Sequence, residues 1–242
     1  MKGLLRLPGR VSHAAVVMRQ AVHVKRTALR LPPAEGTTGT VGTGEPTFRV
    51  AVVGDSLAAG IGLSHHSESI AGRLAQLLAE THGATVSWQV QAEGGLTAGG
   101  VSALLDRDRL TQCDAVVVSV GVNDTKDLHS RSRWRRELGE LLDQVTAAAP
   151  SAKVVLLAVP PMEHFPALPA QLAQALGNRA RVMDQVAAEV VARRLSRVRR
   201  IEVELTNADG TFSADGFHPS TLVHTALAEK VVEVLAWPLN TR

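Results

Sequence analysis

From Phe48 onward, short continuous apolar runs alternate with longer amphipathic segments. Phe48–Val53, Thr85–Val90, Asp114–Val120 and Lys153–Val159 read as strands, with Arg200–Val203 as a fifth. Between and after them, Ser67–Thr81, Gly99–Leu110, Arg131–Ala148, Gln171–Ser196 and Thr221–Leu235 carry the 3.6-residue spacing of helices, with Gly177 as a candidate break. Val-rich runs without alternation belong to strands covered on both faces. Helical crossovers between such strands predict a three-layer α/β/α sandwich around a mostly parallel five-stranded sheet.

The first 34 residues differ. They hold seven basic residues and no acid, so the remaining 19 basic residues stand against 23 acidic ones and the main body is mildly acidic. A basic leader on an acidic domain is the wrong distribution for a nucleic-acid protein. The absence of Tyr and an aromatic content of 3% argue against base-stacking platforms. No apolar run in the leader approaches the ~20 residues of a membrane span. Arg19, His23, Lys25 and Arg26 interrupt any secretory apolar core, which points to a cytoplasmic protein. Val11, Ala15, Met18 and Val22 share one helical face, so residues 1–34 read as a basic extension, either solvated or in peripheral contact with a membrane surface. Residues 35–47, rich in Gly, Thr and Pro, read as a flexible linker, and the folded domain is expected over residues 48–242.

Polar residues cluster where the strands end. Gly54-Asp55-Ser56 follows the first strand, Glu93-Gly94-Gly95-Leu96-Thr97 the second and Gly121-Val122-Asn123-Asp124 the third. Asp215-Gly216-Phe217-His218 precedes the last helix. In a parallel sheet these positions share the carboxyl rim, where ligands bind. A serine becomes a nucleophile when a base takes its proton, and a carboxylate fixes the tautomer of that base. Ser56, His218 and Asp215 supply the three groups. The backbone N–H groups of Ser56 and Gly95 and the Asn123 amide are candidate donors to an oxyanion, with Gly94 as the alternative to Gly95.

Other motifs carry less. Gly60 is followed by Ile61, which excludes a Walker A loop, and Ala58 breaks the Gly-x-Ser-x-Gly elbow. Adjacent His65 and His66 lack a matched ligand set, so no metal is expected. Asp124 reads as a turn residue, Cys113 as buried, and His82, His129 and His224 as surface or capping residues. Asp106-Arg107-Asp108-Arg109 reads as a solvated turn, and Arg193, Arg194, Arg197, Arg199 and Arg200 as basic residues suited to a helix C-terminus.

The four rim blocks, Gly54-Asp55-Ser56-Leu57, Gly95, Gly121-Val122-Asn123-Asp124 and Asp215-Gly216-Phe217-His218-Pro219, resemble in order those of the SGNH (GDSL-type) hydrolases over about residues 48–237. The resemblance implies a flavodoxin-like sandwich and a serine esterase mechanism without metal or cofactor. The loop after the fourth strand offers Met162, Phe165 and Leu168 as pocket residues, which suits a carboxylic ester with a short or medium acyl group. An acyltransferase or thioesterase using the same serine, and a lipid-binding protein that kept only the fold, are the alternatives.

Overall fold

The apolar runs pair into one sheet. In a computed structural model, which describes residues 8–206 and 208–236, the elements follow as α1 (Pro8–Thr27), β1 (Thr38–Val41), β2 (Phe48–Gly54), α2 (Ile70–His82), β3 (Val86–Ala92), α3 (Ala98–Leu104), β4 (Ala115–Ser119), α4 (Val122–Lys126), α5 (Arg131–Ala148), β5 (Lys153–Leu157), α6 (Ala170–Ala192), β6 (Val198–Ile201) and α7 (Thr221–Leu235). The strand order is β1-β3-β2-β4-β5-β6, parallel throughout except for β1. Every residue of β4 is buried, as a central strand between two helical layers requires. α2 packs on α7, while α3, α5 and α6 pack in series. These two groups form the outer layers of the sandwich.

The order places the functional rim. From β2 the chain crosses over α2 to β3 on one side, and from β4 it crosses over α5 to β5 on the other. Crossovers that diverge from neighbouring strands leave a crevice beyond their carboxyl ends. β2 and β4 are those neighbours, with Gly54 opposite Ser119. Gly54 is required by contact, since a Cβ there would lie 2.1 Å from the Ser119 carbonyl oxygen.

Three expectations change. The sheet has six strands, because part of the segment read as a flexible linker forms β1 at the edge. Its Gly/Thr composition hides the strand. Gly39 sits opposite Trp88, and a Cβ at Gly39 would fall 2.1 Å from the indole. The glycine is therefore the seat of a large cross-strand side chain. Next, α6 runs unbroken through Gly177, where a Cβ would lie 2.2 Å from Glu163 Oε2. That glycine admits a carboxylate to the helix surface and does not end the helix. Last, β6 spans Val198–Ile201, two residues earlier than the apolar pattern alone indicates.

The leader is a helix, and it docks with residues outside the apolar stripe noted in the sequence. Val17, Ala21 and Val24 pack toward the core, while Ala15, Met18 and Val22 are exposed. Lys2, Arg6 and the Val11 side chain lie outside the described residues. The docked face also carries a polar contact. Gln20 accepts the Leu172 N–H at 3.0 Å and donates to Gln171 Oε1 at 2.6 Å. The N-cap of α6 is Pro169, which offers no side-chain acceptor, so Gln20 satisfies a first-turn N–H from another helix.

The chain after α1 then braces the loop that follows β2. Gly62 donates to the Pro32 carbonyl at 3.0 Å, Ala34 to that of Ala59 at 3.1 Å, and His66 to that of Glu35 at 2.8 Å. Ala34 is itself buried. The domain thus includes residues well before Phe48. Deleting residues 1–44, which removes these contacts and β1, is expected to lower the melting temperature much more than deleting residues 1–30, which leaves them in place. Equal melting temperatures of the two truncations would show that the brace is dispensable.

Two buried histidines make stability depend on pH. His224 on α7 accepts the Ile70 N–H at 3.2 Å, so its Nδ1 must stay unprotonated to cap α2. Burial, with His66 and His218 nearby, lowers its pKa from 6.5 to about 3. Burial and His65 lower His66 to about 4. Both pKa values are depressed in the folded state, so their contribution is whole above pH 6.5 and drains away as pH falls toward these values. Asp55, raised to about 7 mainly by burial, acts in the opposite sense over the same range. Between pH 7 and pH 5 one such histidine costs about 2 kcal/mol. His224→Asn, which keeps an acceptor, is expected to remove about that much of the loss when urea midpoints at the two pH values are compared. An unchanged difference would mean that His224 does not report the acid lability.

Candidate active site

Ser56 owes its position to the turn that ends β2. Asp55 donates its N–H to the Ser119 carbonyl at 2.9 Å, and the Ser119 hydroxyl donates to Asp55 Oδ1 at 2.9 Å. The same carboxylate oxygen accepts the Leu57 N–H at 3.3 Å. The Asp55 side chain is thereby turned inward, with Oδ1 accepting twice. Ser56, the next residue, is left partly exposed at the rim. Burial raises the Asp55 carboxyl to about 7 against the pull of Ser119 and Leu57, with Asp124 adding a further rise. The bracing role of Asp55 and Ser119 is not apparent in the sequence, because their meeting depends on which strands are neighbours.

His218 arrives from the opposite end of the chain on a tight loop before α7. Asp215 Oδ1 accepts the N–H groups of Phe217 at 2.9 Å and His218 at 3.0 Å, while Oδ2 lies 2.6 Å from His218 Nδ1. Burial alone would raise the Asp215 carboxyl. The His218 N–H, the His218 ring and the Phe217 N–H outweigh it and hold the carboxyl below its usual range. The carboxylate therefore stays ionised, engages Nδ1 and leaves Nε2 as the free ring nitrogen. Aromatic contacts hold the loop. Phe217 meets Phe165 edge-on at 5.0 Å and the His218 ring at 5.2 Å, and Phe165 meets Phe212 at 5.4 Å.

Ser56 and His218 line one cavity. Its walls are mostly apolar and include Leu157, Phe165, Val203, Leu205 and Phe217. Of the three pocket residues expected from the sequence, Phe165 is at this wall. Met162 and Leu168 are buried in the core and are not among the lining residues. The short helical turn Met162–His164 sends Met162 inward and Glu163 toward Gly177, a choice that the apolar pattern could not show. Val203, Leu205 and Phe217 replace them because the chain after β6 returns over the rim.

Asn123 lies in the first turn of α4 and is buried. One of its amide hydrogens goes to the Leu96 carbonyl at 2.9 Å, which fixes the amide plane against the Gly94–Thr97 loop and leaves the second hydrogen for another acceptor. In that loop Gly95 has φ +90°, a conformation that favours glycine. Gly94 is the closer to Ser56: a Cβ on it would lie 3.9 Å from that of Ser56. The loop thus borders Asn123 at Leu96 and Ser56 at Gly94.

Several other residues can be placed. His65 is exposed, and its Nδ1 accepts the Ser67 N–H at 3.1 Å, whereas His66 is buried against Ser69, so the two rings serve separate turns. His224 is a cap, but a buried one, and His129 is buried where a surface position was expected. His129 joins Asp124 and Glu137, the group among the described residues whose ligand-type atoms come within 4.8 Å of one another. The spacing of these three residues matches no metal motif, so the sequence does not announce the cluster. Cys113 is buried. The basic residues after α6 are engaged locally: Arg194 with Asp143, Arg197 with the Ala149 and Ala152 carbonyls, and Arg200 with Asp184. Among the described residues, no helix is long and apolar enough to cross a membrane.

This architecture has many counterparts. The chain matches a carbohydrate esterase family 2 enzyme from Corynascus thermopiles (Myceliophthora fergusii) with a TM-score of 0.62 and 18% identity, over 81% of this chain and 68% of that one. The lipase Lip_vut3 from a goat rumen metagenome matches with a TM-score of 0.62 and 18% identity, over 79% and 98%. A lipase/acylhydrolase from Enterococcus faecalis matches with a TM-score of 0.59 and 21% identity, over 78% and 95%. At these identities the likeness is one of fold. No curated protein matches the chain. The model of the GDSL-like lipase/acylhydrolase family matches residues 52–226, which span the strand ends, the Asn123 turn and the Asp215–His218 loop. The chain belongs to the GDSL-like lipase/acylhydrolase family.

Proposed function

We infer that the protein hydrolyses carboxylic esters of small acyl groups through an acyl-enzyme on Ser56. The observation that carries this reading is the shared cavity of Ser56 and His218, with Nδ1 of His218 held by Asp215. In the proposed reaction His218 Nε2 takes the Ser56 hydroxyl proton as the oxygen attacks the ester carbonyl. The negative charge that develops on the carbonyl oxygen is met by the Asn123 amide and by backbone N–H groups of Ser56 and of the Gly94–Gly95 turn. Collapse breaks the bond to the alkoxy group, which leaves with the proton from His218. A water molecule then repeats the sequence at the acyl-serine, releasing the acid and restoring the serine. Asp215 remains a carboxylate throughout and stabilises the imidazolium.

The walls of the cavity support the acyl preference. Leu157, Phe165, Val203 and Leu205 offer apolar surface without charge, and Phe217 closes the side next to His218. A short acyl chain gains by leaving water there, about 0.8 kcal/mol for each buried methylene.

Ser56→Ala is expected to lower kcat for p-nitrophenyl acetate by about 10³-fold or more while the protein stays folded. Asn123→Ala should cost about 10²–10³-fold in kcat with KM nearly unchanged, because its amide acts on charge that exists only in the transition state. A change confined to KM would assign Asn123 to ground-state binding. Covalent labelling by a fluorophosphonate should map to Ser56; an active Ser56→Ala protein would overturn the mechanism.

We also infer peripheral contact with an anionic membrane through α1. Met18 and Val22 are exposed on the helix that carries Arg19, Lys25 and Arg26, which supports a surface that inserts apolar groups between basic ones. Full-length protein is expected to bind anionic vesicles in a salt-dependent way, and protein lacking residues 1–30 to bind them weakly. Equal binding by both would remove this contact from the proposal.

A further inference from the structure

A buried chain of side chains lies behind the two loops that flank Ser56. Asp124 directly follows Asn123, and its carboxylate accepts the Ala98 N–H at 3.1 Å. Ala98 opens α3 immediately after the Gly94–Thr97 loop. The Asn123 amide meets Leu96, two residues earlier, at 2.9 Å. The two loops are therefore tied at two points, one by each of two consecutive side chains.

Asp124 is held from behind. His129 Nδ1 lies 3.1 Å from Asp124 Oδ1 and 3.6 Å from Glu137 Oε2. The ring nitrogen is hydrogen-bonded to Asp124, and Glu137 Oε2 faces it from the other side without a hydrogen bond of its own. Glu137 also touches α3: a Cβ on Gly99 would fall 3.3 Å from its Oε2. The first turn of α3 thus rests on two carboxylates, one from α4 and one from α5. Arg133 donates to Glu137 Oε1 at 2.7 Å and fixes the outer end of the chain. From α6, Arg179 donates to the Thr125 carbonyl at 3.0 Å and to that of His129, which holds the end of α4.

We propose that Asp124, His129 and Glu137 are positioning residues that set the distance between the Asn123 amide and the Gly94–Gly95 backbone. This proposal rests on the ester-hydrolase reading above. An oxyanion site works only when its donors stand about 2.7–3.1 Å from the developing charge. The two sets of donors come from different loops of the rim, and a misplacement of about 1 Å can cost on the order of 10²-fold. Asp124 spans the gap between those loops. His129 and Glu137 keep its carboxylate from turning away.

The test is a double-mutant cycle with p-nitrophenyl acetate. Asp124→Asn is expected to lower kcat by about 10-fold or more with KM nearly unchanged. In an Asn123→Ala background the same substitution should cost a much smaller factor, because the group it positions is gone. Glu137→Gln, which keeps the shape at the outer end of the chain, should show a smaller loss of the same kind and carries the cycle if Asp124→Asn does not fold. A folded Asp124→Asn protein with wild-type kcat, or an equal loss in both backgrounds, overturns the proposal. Failure of both Asp124→Asn and Glu137→Gln to fold would assign the chain to stability alone and overturn it as well. Ser56→Ala measured alongside separates the two levels. An active Ser56→Ala overturns the reaction itself, whereas an inactive Ser56→Ala beside an unimpaired Asp124→Asn overturns only the positioning role.

Discussion

The hydrogen bond from Ser119 to Asp55 joins the carboxyl ends of β2 and β4, and the arrangement of the rim follows from it. The two strands are neighbours whose crossovers leave in opposite directions, so no helix covers their ends. The side-chain tie adds to the backbone bond from the Asp55 N–H to the Ser119 carbonyl in fixing the course of the chain after Gly54. With Asp55 turned inward, Ser56 is set at the mouth of the crevice and the following loop is bent back toward the β2 end. Burial of the Asp55 carboxyl, with its pKa raised to about 7, disfavours a charge there and favours a firmly hydrogen-bonded group. Residues 32–35 then hold the loop from outside.

His218 depends on a different kind of constraint. Its loop has little regular structure, and its order comes from the Asp215 carboxylate, which gathers two backbone N–H groups and the imidazole. The edge-to-face contacts of Phe165, Phe212 and Phe217 add apolar burial at the same place. Two of these rings, Phe165 and Phe217, also wall the cavity beside Ser56. One aromatic group therefore both steadies the base and shapes the apolar surface next to the serine. In a chain with only 3% aromatic residues, that concentration shows where rigid apolar surface is used.

Much of this was legible in the sequence. The apolar runs gave the sandwich, α5 and α7 matched their expected limits, and the strand ends carried Ser56, Asn123, Asp215 and His218 to one rim. The family resemblance read from those blocks agrees with the matched family model. Less legible were features whose residue type suits two uses. Gly39 belongs as well to a linker as to an edge strand that seats Trp88. Met162 and Phe165 look alike in an apolar loop, yet one enters the core and the other faces the cavity. On α1, the apolar stripe gave no sign of the face that docks, where Val17, Ala21 and Val24 pack toward the core and Gln20 accepts an N–H of α6.

The sequence by itself determined the parallel strands and the long helices that connect them, though not the edge strand β1, and which chemical groups stand just past those strands. Those properties follow from local periodicity and from the direction of a parallel sheet. The tertiary structure alone decided which of these groups touch. The Asp55–Ser119 tie, the capping of α2 by His224 and the chain Asp124–His129–Glu137 each join residues from different elements. Such contacts depend on strand order and on the rotation of each helix about its axis. Those quantities are set by the packing of the whole core, and they leave no periodic trace in the segments that meet.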